Sequence, residues 1–144
     1  MLPPPNVTVT KRYEWDMGHR LPQHEGKCRR LHGHRYVVEV DFTGPVIPAG
    51  RSAGMVVDFD EVKTLLHTVI GYWDHRTMLQ QGDPIVDGHS ASWHTLYGIF
   101  FVPFVPTAEN IAREILLSLQ PGAPAQVTRV RVYETPSGWA EVRA

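Results

Sequence analysis

The stretch LHGHRYVVEVDF, residues 31 to 42, decides the fold. Tyr36, Val38, Val40 and Phe42 share one parity, and Arg35, Glu39 and Asp41 share the other. Successive side chains of a strand point to opposite faces, so this alternation predicts a half-buried antiparallel strand from about Leu31 to Phe42. His32 and His34 carry the parity of the apolar face, and Gly33 between them points away and adds no bulk. Upstream, Val7, Val9, Tyr13 and Trp15 alternate with Thr8, Thr10, Arg12 and Glu14, which predicts a first strand from about Val7 to Trp15. His19 stays in phase with Tyr13 and Trp15. A polar loop, roughly residues 20 to 30, joins the two strands and holds His24 and Cys28.

Downstream, residues 43 to 54 contain several breakers. Phe59, Val62, Leu65, Leu66, Val69 and Ile70 then recur at helical spacing, with Asp58 as N-cap and Gly71 as stop signal. A second helix starts at the N-cap Thr107, carries Glu109 in its first turn, and presents Ile111, Ile115, Leu116 and Leu119 as one stripe. A long strand from about Gln126 to Glu134 and a short one from Trp139 to Arg143 close the chain. Residues 83 to 106 carry the weakest pattern. GIFFVP reads as a strand or a covering segment, and Pro103 and Pro106 argue against a central strand. The order is ββααββ: an α+β fold, with an antiparallel four-stranded sheet and two helices on one face.

The chain has 144 residues and no long linker, so residues 1–144 are expected to form one domain. A net charge of −1 gives no global pull toward nucleic acid or a membrane surface. A single cysteine excludes an intrachain disulfide and fits a reducing compartment. No secretory leader or spanning helix is expected, which makes the cytoplasm the expected location.

Three imidazoles, His19, His32 and His34, fall on one face of two neighbouring strands. Imidazole suits zinc, and three protein ligands leave a fourth position open, as in catalytic sites. On spacing alone, a pair of surface histidines at a strand start also stands. His24, in the loop, is the second choice of ligand. Cys28 is flanked by Lys27, Arg29 and Arg30, and cations raise the thiolate fraction of a thiol. It reads as a general base, as a fourth ligand that would close the site, or as a small buried hydrophobe. Asp74 beside His75 would fix an imidazole tautomer and make a proton shuttle; a helix-terminal Asp next to a solvated His is the plainer reading. Glu134 shares the parity of Val130 and Val132. Its carboxylate either closes the apolar face and accepts two parallel N–H donors, or turns to water or to Arg131.

The motifs GHRLP, GKCRRLHGHRYVVEV, GMVVDFDEVK, WDHRTML, PTAENIA and VRVYETP stand in the order and spacing of one family. From about Tyr13 to Ala140 the chain resembles the 6-pyruvoyl-tetrahydropterin synthase superfamily. Its C-x3-H-G-H spacing is similar to that of the bacterial 6-carboxytetrahydropterin synthases of the queuosine pathway. The resemblance implies the tunnelling fold, trimers stacked into a homohexamer, and active sites at subunit interfaces. It also implies zinc on His19, His32 and His34, and proton transfer by Cys28, Asp74 and His75. Glu134 would anchor a pterin ring, with Thr107 and Glu109 near it. The implied substrate is 7,8-dihydroneopterin triphosphate, and neither nucleic acid nor membrane is a partner. From charge alone, Arg20, Lys27 and Arg30 are candidates to hold the triphosphate. The alternatives are the pyruvoyl-forming reaction or another pterin side-chain cleavage, a different zinc enzyme such as a hydrolase, and a non-catalytic, zinc-stabilised pterin-binding oligomer. The chain departs from the family pattern at Gly18, at the missing Asn after DHRTML, in the longer segment 83–106, and at Glu141 and Val142, where an aromatic is usual.

Overall fold

The computed structural model describes residues 2–144. Strands β1 (Val7–His19) and β2 (His32–Gly44) form one long antiparallel ladder, in register from Val7 opposite Gly44 to His19 opposite His32. The predicted alternation is what is observed: Trp15, Met17 and His19 on β1 and Tyr36, Val38, Val40 and Phe42 on β2 are buried. Helix α1 (Phe59–Ile70) starts where expected, with the Asp58 carboxylate accepting the Asp60 N–H, and it buries Val62, Leu66 and Ile70. After it come β3 (Arg76–Gln80), α2 (Ala91–Leu96), β4 (Ile99–Val102), α3 (Ala108–Leu119), β5 (Gln126–Thr135) and β6 (Gly138–Arg143). Thr107 caps α3 by accepting the Asn110 N–H.

The fold class is the expected α+β, but the sheet is wider. Its six strands run in the order β4-β3-β1-β2-β5-β6. The four antiparallel strands read from the sequence are β1, β2, β5 and β6; β3 and β4 extend the sheet beyond β1 in parallel pairing. The missed strand β3 is short, and its successive residues Met78 and Leu79 are both buried. A strand covered on both faces shows no alternation. β4 is an edge strand, which is where Pro103 allows one. The short helix α2 has Ser90 as N-cap and no buried residue, so no apolar stripe announces it.

α1 and α3 cover one face of the sheet, and Leu66, Ile70, Ile111, Ile115 and Leu119 meet Tyr36, Val38, Val40, Phe42, Val130 and Val132. Trp15 stacks on Tyr36 with ring centroids 5.1 Å apart. Truncating such a buried aromatic costs about 3–5 kcal/mol. The opposite face is polar. There Asp41 accepts Thr10 Oγ1 at 2.6 Å and Arg129 at 2.7 and 2.9 Å, clamping β1, β2 and β5 together. The clamp sits at the register shift between Asp41 and Phe42, where the ladder itself is broken.

Candidate active site

The histidines meet at the loop end of the β1–β2 ladder. His19 and His32 are directly opposite, and His34 is two residues further along β2 on the same face. Their ring centroids are 4.6 to 5.1 Å apart, and one nitrogen from each lies within 4.8 Å of the others. Backbone carbonyls orient two of the rings: His19 Nδ1 donates to Pro106 O (2.7 Å) and His32 Nδ1 to Arg30 O (2.6 Å). With Nδ1 protonated, the Nε2 lone pairs are free for a metal. Those two Nε2 atoms are 3.1 Å apart. A tetrahedral zinc with bonds of about 2.05 Å separates neighbouring nitrogens by about 3.4 Å. Two facing lone pairs repel unless a proton or a cation lies between them. Nε2 of His34 is buried and has no hydrogen-bond partner, an orphan that a metal would satisfy. Burial, more than the neighbouring imidazoles, pushes His19 down to about 4 despite its Pro106 bond. His34 shifts the same way, first through burial and then through His32. Neutral imidazole is the ligating form, which burial favours at His19 and His34, and the three residues fit zinc in donor type and spacing.

Glu134 reaches the same place from β5. Its carboxylate oxygens lie 4.0 Å from His19 Nε2 and 3.9 Å from His34 Nε2. Burial and the charge of Glu109 raise its pKa, against a smaller pull from His32. Arg131, the alternative partner, is occupied by Glu141 at 2.8 Å. Glu134, Glu109, Thr107, Leu21 and Trp139 line a cavity of about 370 Å³, which Glu134 links to the imidazoles. The expected substrate-binding residues are therefore together.

Cys28 lies in a 3-10 turn, Lys27–Arg29, half-buried. Among the described residues, the group whose ligand atoms converge holds the three imidazoles without the Cys28 sulfur. His24 is exposed, and its Nδ1 accepts the Gly26 N–H at 2.8 Å, away from that group. Arg20 departs from the sequence expectation. Rather than standing free for a phosphate, its Nε donates to both carboxylate oxygens of Asp83, at 3.0 and 2.7 Å.

Asp74 and His75 are paired as expected, Nδ1 to Oδ1 at 2.9 Å. They belong, however, to a second cluster with Asp16, whose parity on β1 is opposite to that of His19. Within one chain the sheet thus lies between this pair and the imidazoles. His75 has φ +61, the one positive φ outside glycine among the described residues. That conformation follows from a tight exit into β3, where His75 N donates to Asp16 O and Arg76 N to Trp73 O.

Two residues of the site were not singled out from the sequence. Tyr36 packs edge-on against His19 and His34, and its buried hydroxyl has no partner. Its parity gave it away as a face-mate of the histidines but not as more than core. Asp83 carried no sequence signal, because its partner is 63 residues away.

The chain as a whole is similar to known proteins. The family model described as 6-pyruvoyl tetrahydropterin synthase matches residues 8–144. The 6-carboxy-5,6,7,8-tetrahydropterin synthase of Rickettsia bellii is 37% identical, with 94% of this chain and 99% of the relative covered. The protein of the same name from Haemophilus influenzae is 33% identical, over 92% of this chain and 96% of the relative. Among solved structures, Caenorhabditis elegans 6-pyruvoyl tetrahydropterin synthase superposes with a TM-score of 0.73 at 25% identity, covering 100% of this chain and 99% of that one. An uncharacterised protein from Wolinella succinogenes gives a TM-score of 0.80 at 24% identity, over 96% and 98% of the two chains. With three imidazoles and a carboxylate gathered on one face of this sheet, the chain belongs to the 6-pyruvoyl tetrahydropterin synthase family of enzymes.

Proposed function

We propose that the protein converts 7,8-dihydroneopterin triphosphate and one water to 6-carboxy-5,6,7,8-tetrahydropterin, releasing acetaldehyde and triphosphate, as a step toward queuosine. The observation that carries this reading is the convergence of His19, His32 and His34 beside Glu134. The names of the relatives from Rickettsia bellii and Haemophilus influenzae favour the carboxy product over the pyruvoyl one.

His19, His32 and His34 would hold zinc, which supplies Lewis acidity that lowers the pKa of the substrate's side-chain hydroxyls. Glu134 accepts the paired N–H donors of the 2-amino-4-oxo pyrimidine edge, and Thr107 and Glu109 line the same cavity. Cys28, as thiolate, removes a proton from the side-chain carbon next to the ring. His75, oriented through Nδ1 by Asp74, donates and collects protons as the side chain is cleaved.

Asp74 and His75 cannot serve the imidazoles of their own chain across the sheet. The reading therefore places them in the site of a neighbouring copy, in a homohexamer built as a dimer of trimers. Strands β4 and β6, the two sheet edges of one chain, support side-by-side association.

The test is a product assay. The zinc-loaded protein is incubated with 7,8-dihydroneopterin triphosphate and the products are identified by mass. A 6-carboxy product with acetaldehyde is expected; a 6-pyruvoyl product would reassign the reaction, and no conversion would sink the lyase reading. Cys28→Ala should keep its zinc and lose turnover by about 10²–10⁴-fold, the usual contribution of a positioned acid or base. Loss of zinc instead would make Cys28 a ligand and the site structural.

A further inference from the structure

We infer that Arg20 and Asp83 are positioning residues that hold the Cys28 turn in place, so the long segment 83–106 is tied to the active site through its first residue. The inference rests on the proposed role of Cys28 as the base.

Three consecutive carbonyls of the turn are each held by a different donor. The Cys28 carbonyl accepts the Leu21 N–H at 2.9 Å. The Arg29 carbonyl accepts Nη1 of Arg20 at 2.9 Å. The Arg30 carbonyl accepts Nδ1 of His32 at 2.6 Å. The first donor is backbone and the third is a metal-ligand candidate. Only the middle donor, Arg20, is itself held by a residue outside the loop and its flanking strands, Asp83. The Arg20 guanidinium has one edge on the Arg29 carbonyl and its Nε on Asp83, so the position of Asp83 sets the position of the turn.

Asp83 is itself fixed. It is 2% exposed, and with His19 it is one of two buried polar residues among those described. Its Oδ1 also accepts the Ile85 N–H at 2.9 Å, capping the 3-10 turn Pro84–Val86, and its own N–H donates to Gln80 O. A carboxylate this deeply buried is costly unless a cation and further donors satisfy it, and here both do. The result is a rigid strut from β3 to the turn. Arg20 directly follows His19, so one short segment of chain carries both a metal-ligand candidate and the brace of the base. Displacing a reacting group by about 1 Å costs on the order of 10²-fold in rate.

The experiment uses the full-length, zinc-loaded protein. Asp83→Asn keeps the shape and the Ile85 acceptor but removes the charge. The double variant Arg20→Met/Asp83→Asn removes both charges together, so no unpaired charge is left buried, and it guards against simple misfolding. Both are expected to keep zinc content and oligomeric state, with kcat lower by about 10–100-fold and KM within about twofold. Cys28 is the only cysteine in the chain, so alkylation by iodoacetamide reads that turn alone. It should be several-fold faster in both variants. Parental kcat and parental alkylation in a folded, zinc-loaded double variant would overturn the inference. If Cys28→Ala keeps its turnover, the base assignment fails, whereas the alkylation rates still decide whether the ion pair holds the turn.

Discussion

His19 and His32 point their Nε2 atoms at each other across the β1–β2 ladder, 3.1 Å apart, while backbone carbonyls hold both Nδ1 atoms. Neither ring can turn away without losing a hydrogen bond, so the arrangement is set before any metal arrives. One zinc per chain is the expected content after purification without chelators. His32→Ala should remove it, and chelation should lower the melting temperature of the parent. Metal content measured by mass spectrometry checks the first. A parent that melts at the same temperature with and without chelator would show that the imidazoles carry no stabilising metal.

The metal-free protein should lose stability in mild acid. His19 titrates near 4 in the folded chain, mainly because burial disfavours its charged form, against 6.5 when exposed. Between those values the unfolded chain binds more protons than the folded one, so stability rises with pH through the window. It is fully present above pH 6.5 and is lost progressively toward pH 4, by up to about 3 kcal/mol. Urea unfolding of the metal-free protein at pH 5 and pH 7.5 measures this. His19→Gln should flatten the dependence; an unchanged slope would move its origin elsewhere.

The elements that were legible in the sequence are those with one wet and one dry face. β1, β2, α1, α3 and β5 all show their period, β6 follows as the return of a hairpin, and the period put His19, His32, His34 and Glu134 on a common face. β3 was hidden because Met78 and Leu79 are both buried. α2 was hidden because it buries nothing. The pairing of Arg20 with Asp83 and the separation of His75 from the imidazoles are tertiary facts. They depend on which strands lie side by side, and no local pattern encodes that. Charge alone hid the partner of Arg20 for the same reason: a cation looks free until its partner is located.

Glu134 should act in binding rather than in chemistry. Glu134→Gln keeps the size and one acceptor but loses the charge that strengthens a bidentate contact. Charge-assisted hydrogen bonds contribute about 1.5–3 kcal/mol, so KM should rise by about 10–100-fold with kcat nearly unchanged. Steady-state kinetics with the triphosphate substrate separates the two constants. A fall in kcat at constant KM would assign the carboxylate to proton transfer.

Gly33 permits the close approach that brings the histidines together. A Cβ built there would stand 3.1 Å from Met17 O, on the face opposite the imidazoles. Met17 pairs with His34 in the same ladder, so the strands would yield by a few tenths of an ångström where the ligands sit. Metal bonds tolerate about 0.2 Å. Gly33→Ala should therefore weaken zinc binding by about tenfold, comparable to losing an outer partner of a ligand. A competition titration against a zinc-binding dye measures it, and parental affinity would mean that the ladder absorbs the methyl group elsewhere.

His75 offers a separation of stability from function. A side chain at φ +61 carries strain of about 1–2 kcal/mol that glycine does not. Its ring is 76% exposed and bonds only to Asp74, so it contributes little packing. His75→Gly should melt no lower than the parent, and a few degrees higher if the strain outweighs the lost contact. Turnover should nonetheless fall by about 10²–10⁴-fold, because the proton carrier is gone. Differential scanning calorimetry and the product assay on the same preparation decide it. A destabilised but active variant would make His75 a structural residue; a stable and inactive one is the mark of a position whose backbone strain is kept for its side chain.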